Sequence, residues 1–133
     1  MITNGFHNWI ANMLVSNEGN IYMIVGDGTS GELTTNTIDI FKDSTVVIKR
    51  PDNVEFDPKS SKVIVSCQFG TGNGNGRYWN DCGIILDTTG NNNIEGIDYP
   101  NNTEGLILLN RLRTDSIYKT NEISLKRTIT FEL

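Results

Sequence analysis

Several groups of residues in this 133-residue chain are of types that do chemistry in other settings. The stretch Gly70-Thr71-Gly72-Asn73-Gly74-Asn75-Gly76 has the composition of a phosphate-cradling loop. Such a loop must open a helix, so that free amides and the helix dipole face the anion. Here Arg77-Tyr78-Trp79 follows and reads as strand, with no Gly-Lys-Ser/Thr, so a hairpin loop is expected instead. Asp27-Gly28-Thr29-Ser30 offers an acid and two hydroxyls, but a calcium loop needs regularly spaced oxygens and a late bidentate carboxylate. Glu32 comes too early for that pattern, which leaves a turn. His7 is the only histidine and sits beside Phe6 in a helical pattern. It has no nucleophile in its sequence neighbourhood, as serine or cysteine hydrolysis would require. Asp81 with Asp87, or Asp98 with Glu104, could in principle divide the acid and base work of a glycosidase. Nothing local raises the pKa of one member, and carboxylates at ordinary density form such pairs by chance. The expectation is a protein without enzymatic activity.

The remaining chemical candidates are aromatic or sulfur-bearing. Tyr78, Trp79, Tyr99 and Tyr118 have the ring faces on which sugars stack, although strand aromatics more commonly serve cores and interfaces. Cys67 and Cys82 are the only cysteines and lack the histidines of a zinc set. They are expected as small buried hydrophobes. The formal net charge is -5 with no dense run of Lys or Arg, which excludes the basic face of a nucleic-acid binder. Apolar runs are about four or five residues long, far short of the ~20 that a membrane helix needs. The N-terminus shows no basic stretch followed by an apolar run, so no signal peptide is expected. No cofactor, metal, nucleic-acid partner or membrane is implied.

The elements that must position these residues read as one domain over 1–133. Phe6, Trp9, Ile10, Met13 and Leu14 recur at i, i+3, i+4, i+7 and i+8, which predicts an amphipathic helix over about 3–16. Thr3 or Asn4 caps its start and Ser16–Gly19 ends it. A helix this short needs packing to persist, so its stripe is expected to be buried, on its own sheet in preference to a neighbouring subunit. Ala occurs only at position 11, while Thr, Val, Ile, Asn and Gly abound, a composition leaning to strand and turn. Strands are predicted at 20–25, 38–41, 46–50, 54–56, 62–69, 77–86, 105–111 and 123–131. In the last, Ile123, Leu125, Arg127, Ile129 and Phe131 share one face. The fold class is mainly β: an antiparallel β-sandwich of about seven or eight strands with one N-terminal amphipathic helix.

The segments 4–14, 22–30 and 82–87, then Asn110-Arg111, Ile117-Tyr118-Lys119-Thr120 and Ile129-Thr130-Phe131, are six short motifs whose order along the chain resembles that of a family of small bacteriophage structural proteins, including the N-terminal domains of tail and tail-collar fibres. The helix Asn4-Gly5-Phe6-His7-Asn8-Trp9-Ile10-Ala11-Asn12-Met13-Leu14 is similar to a family helix carrying Ile-Ala-x-x-Leu. Tyr22-Met23-Ile24-Val25-Gly26-Asp27-Gly28-Thr29-Ser30 resembles a strand ending in Val-Gly-x-Gly-Thr. Cys82-Gly83-Ile84-Ile85-Leu86-Asp87 stands where the family has Gly-Leu-Phe. Asn110-Arg111, Ile117-Tyr118-Lys119-Thr120 and Ile129-Thr130-Phe131 follow in family order. One departure is Cys82 immediately before Gly83, where the family commonly has an acid; here Asp81 is one place earlier.

The resemblance implies a non-enzymatic virion protein, made in the host bacterial cytoplasm. It implies a homo-oligomer, a trimer or ring, in the tail, collar or baseplate, attaching fibres or neighbouring tail and neck proteins. Fibre proteins continue into a shaft and tip, so the implied role is an attachment module without its own host-recognition tip. Gly26, Gly28, Asn110, Arg111 and Lys119 are the positions it marks for structure or assembly. The edge of the last predicted strand, alternating and apolar on one face, would invite pairing with another chain. The alternative reading is a carbohydrate-binding module that holds host glycans in the Tyr78/Trp79 region.

Overall fold

The computed structural model describes residues 3–27, 38–41, 45–72, 75–90 and 93–132. Among these are one helix, α1 (Asn4–Ser16), and seven strands: β1 (Ile21–Gly26), β2 (Val46–Lys49), β3 (Asn53–Asp57), β4 (Lys62–Phe69), β5 (Arg77–Asp87), β6 (Leu106–Lys119) and β7 (Leu125–Glu132). The strands form two antiparallel sheets, in the orders β2-β1-β5-β6 and β3-β4-β7. Both contribute to one apolar interior: Met23, Val25, Cys82 and Ile84 from the first sheet meet Val63, Val65, Cys67 and Ile129 from the second. Trp79 also lies there, edge-on to Phe69 at 4.8 Å between ring centroids. The mainly β sandwich read from the sequence is the architecture observed.

The four-stranded sheet is buried on both sides. Its outer face carries Tyr22, Ile24, Val46, Ile48, Ile85 and Leu108, covered by Ile38 and Phe41 and flanked by Ile94 and Tyr99. This explains why β1 is buried at every position and why its sequence is a continuous apolar run without alternation. The cover corrects one predicted strand. Ile38–Phe41 is a single 3-10 turn, whose three-residue period brings Ile38 and Phe41 to the same side, onto the sheet.

Three further expectations change. The Gly70–Gly76 stretch does not close a hairpin, because β4 and β5 belong to different sheets; it carries the chain between layers. β6 extends to Lys119, well past the predicted end at residue 111, and its register against β5 shifts twice. The helix has the predicted limits, and Thr3 Oγ1 accepts from the Phe6 amide at 3.4 Å as its N-cap. The buried side of the helix, however, takes in only part of the predicted stripe, at Leu14. Ala11 is fully enclosed, with Leu14 and Val15 packed beside it, where α1 lies against β3. Phe6, Trp9 and Met13 remain 47%, 60% and 45% exposed. At 3.6 residues per turn, Trp9 and Met13 stand about 200° from Ala11, on the far side of the helix. The small Ala11 lets the helix backbone approach the sheet, and the large side chains are turned outward.

Candidate functional site

The positions marked by the family resemblance separate into a buried cluster and isolated structural sites. Gly26 ends β1, where its neighbours across the sheet are Val46 on β2 and Asp81 on β5. A Cβ there would stand 3.2 Å from the Thr45 carbonyl oxygen, so the position favours glycine by space. Asp81 is in turn the partner of Arg111. Arg111 Nε donates to both carboxylate oxygens at 3.1 Å, and Nη2 donates to Oδ2 at 2.5 Å. The two side chains are only 1–2% exposed. The Phe41 ring lies 5.8 Å from the guanidinium carbon and helps to roof the pair. Gly26 and Arg111 thus meet around Asp81, a residue the sequence offered only as a member of a catalytic carboxylate pair. The other member, Asp87, accepts from the Thr89 amide at 3.0 Å and from its hydroxyl at 2.7 Å, holding the turn after β5. Both carboxylates are committed to the fold.

Asn110 and Lys119 belong to other environments. Asn110 pairs with Ile84 on β5, and its Oδ1 is buried without a hydrogen-bond partner. At the neighbouring irregularity, a Cβ on Gly83 would come within 2.6 Å of the Asn110 carbonyl oxygen and 2.9 Å of Leu108 Cδ1. Gly83 is therefore where β5 and β6 approach closely. Lys119 is fully enclosed at the end of β6; its Nζ donates to Asn75 Oδ1 at 2.8 Å and to the Thr120 carbonyl at 3.0 Å. Burial holds its ammonium below the ordinary lysine range. Gly28 lies outside the described residues, as do Thr29, Ser30 and Glu32 of the acid–hydroxyl turn.

Both cysteines are free thiols in the core. Burial pushes Cys67 up to about 12 and Cys82 up to about 11, so both are protonated near neutrality. His7 is half-buried on the helix. Asp98 and Glu104 are exposed. Among the described residues, no three His, Cys, Asp or Glu side chains converge as metal ligands would. No described helix is long and apolar enough to cross a membrane.

Two apolar features of the described surface bear on function. The first runs along the exposed flank of α1, where Trp9, Ile10, Met13, Leu14 and Asn17 form an apolar groove of about 230 Å³ with Leu86 of β5. The Phe6 and Trp9 rings lie 6.4 Å apart on the same helix. The second is a tyrosine pair: Tyr78 and Tyr118 face one another across β5 and β6, exposed, with centroids 4.9 Å apart and planes tilted by 54°. Trp79, named with Tyr78 as a sugar platform, is 1% exposed and belongs to the core. Strand alternation contains the signal that separates these two neighbours, since successive side chains leave opposite faces. No sequence signal identifies Phe41 as the roof of the ion pair.

Comparison with protein-family models finds no match to this chain, and comparison with curated proteins finds none either.

Proposed function

We propose that this protein is a non-enzymatic structural subunit of a bacteriophage particle. In this reading it assembles as a homo-oligomer in the tail, collar or baseplate and attaches fibres or neighbouring particle proteins. The observation that carries the reading is the outward face of α1. A small domain that keeps Phe6, Trp9 and Met13 largely in solvent, while Ala11, Leu14 and Val15 fill the seam beneath, presents an apolar surface suited to another protein. The six ordered motifs supply the particle context. Gly26, Asn110, Arg111 and Lys119 are scaffold positions in this reading, set within the four-stranded sheet.

The test has two parts. The genes beside this one are expected to encode portal, tail or baseplate proteins; a neighbourhood of metabolic genes would count against the reading. In the particle, Trp9→Ser with Met13→Ser should leave the domain folded and remove it from purified particles, measured by mass spectrometry. Normal incorporation of that variant would overturn the role of the helix face.

The exposed Tyr78–Tyr118 pair favours one second reading, a carbohydrate-binding surface for host glycans. A glycan array that returns a specific ligand, lost in Tyr78→Ala and Tyr118→Ala, would select it over assembly.

A further inference from the structure

The four edge strands of the two sheets are treated differently. The outer edge of β2 is bridged by the backbone of Gly96, with Ile48 and Gly96 exchanging hydrogen bonds at 2.8 and 3.0 Å. Helix α1 packs against β3. β6 is broken by register shifts opposite Trp79–Asp81 and Ile84–Ile85, and such bulges twist an edge away from partners. Among the described residues, β7 has none of these devices. It pairs with β4 residue for residue from Leu125 to Glu132 without a shift, and among the described residues it has a hydrogen-bonded neighbour strand on one side only. A straight, regular edge of this length is a template for another strand.

The side chains indicate which strand fits. Ile129 is in the core and Leu125 packs against it, so Lys126, Thr128, Thr130 and Glu132 occupy the outer face, where all four are exposed. When two copies of one strand pair antiparallel about a two-fold axis normal to the sheet, one residue opposes itself and the others pair symmetrically. An axis on Arg127 sets two guanidinium groups against each other. An axis on Thr128 sets Lys126 against Thr130, and one on Thr130 sets Glu132 against Thr128. An axis on Ile129 sets Lys126 against Glu132, twice, and Thr128 against Thr130, twice, with no like charges opposed. In that register Arg127, an inward-facing charge that would otherwise discourage pairing, does not meet its own copy. Its Nε and Nη2 are buried on that inward face, apart from the edge itself, without hydrogen-bond partners among the described residues.

We infer that β7 is a self-complementary edge that joins a second copy of this chain in an antiparallel pair centred on Ile129. The two three-stranded sheets then become one continuous sheet of order β3-β4-β7-β7-β4-β3. This deepens the homo-oligomeric part of the proposed function and rests on it, but it needs no particle context.

Sedimentation velocity on the full chain over a concentration series tests the contact. Lys126→Glu and Glu132→Lys each place like charges opposite one another at two sites, and each should weaken dimerisation roughly tenfold. The double variant Lys126→Glu/Glu132→Lys should return to wild-type association. Far-UV circular dichroism should be unchanged throughout, as both side chains are exposed. Glu132 also faces Lys62 on its own sheet at 3.9 Å, so Lys126→Glu is the cleaner arm. A wild-type oligomer indifferent to all three variants would overturn this contact and leave the assembly reading standing. A wild-type monomer at every concentration would overturn both.

Discussion

Removing the Arg111 guanidinium would leave the Asp81 carboxylate buried beneath Phe41 without its bidentate partner. Breaking one side of such a pair costs far more than the pair itself contributes, because a charge is left in a poor solvent. Arg111→Met is therefore expected to lower stability by about 3–5 kcal/mol in urea denaturation, and Asp81→Leu/Arg111→Met to recover a large part of it. The thiols give a second residue-scale test. Native Cys67 and Cys82 should resist a thiol reagent at pH 8 and react on unfolding. Their folded pKa values, about 12 and about 11, lie above the ordinary thiol value of 9.0. Between that value and the folded values the native state binds more protons than the unfolded chain, so their contribution to stability falls as pH rises through this window. Lys119 acts in the opposite sense: its ammonium is held low, and its burial cost is relieved as pH rises. A stability profile rising steadily from pH 9 to 11 would show that the thiols do not dominate.

At the scale of elements, the helix and the β5–β6 ladder make contrasting predictions. Trp9 lies on the open side of α1, so Trp9→Ser should change the stability of the isolated domain by no more than about 0.5 kcal/mol. Ala11 fills the seam against the sandwich core, so Ala11→Leu should cost about 1–3 kcal/mol through overpacking. Equal effects at the two positions would mean that the helix is rotated. Gly83→Ala should cost about 1–3 kcal/mol, since the added methyl meets a backbone carbonyl that cannot move without shifting β6. The helix shows how far local pattern reaches. Its limits and its Thr3 cap follow from residues within one turn, but apolar residues cover more than one side. The choice of buried side depended on β3, which a period of 3.6 does not contain.

At the scale of the molecule, the two tryptophans report on different layers. Iodide should quench Trp9 and leave Trp79 unquenched in the monomer, because Trp79 is enclosed between the sheets. If a particle partner covers the helix face, Trp9 should become protected on assembly while Trp79 is unaffected. Dimerisation through β7 alone should leave Trp9 quenchable, which separates the two surfaces in one fluorescence experiment.

The sequence by itself determined the kind of the helix and of the seven described strands, though not of Ile38–Phe41. Strand alternation gave β4 its limits, turn residues closed the strands, and the scarcity of alanine and the number of β-formers made the chain mainly β. These properties depend on neighbours along the chain, so they are legible there. Only the tertiary structure decided which sheet each strand joined. That choice brought Asp81 to Arg111 across thirty positions, folded Ile38–Phe41 into a cover, and bridged β2 while giving β7 no second neighbour strand among the described residues. Such pairings are set by burial and by the filling of a shared core, and their free energy belongs to contacts between distant segments that no local spacing encodes.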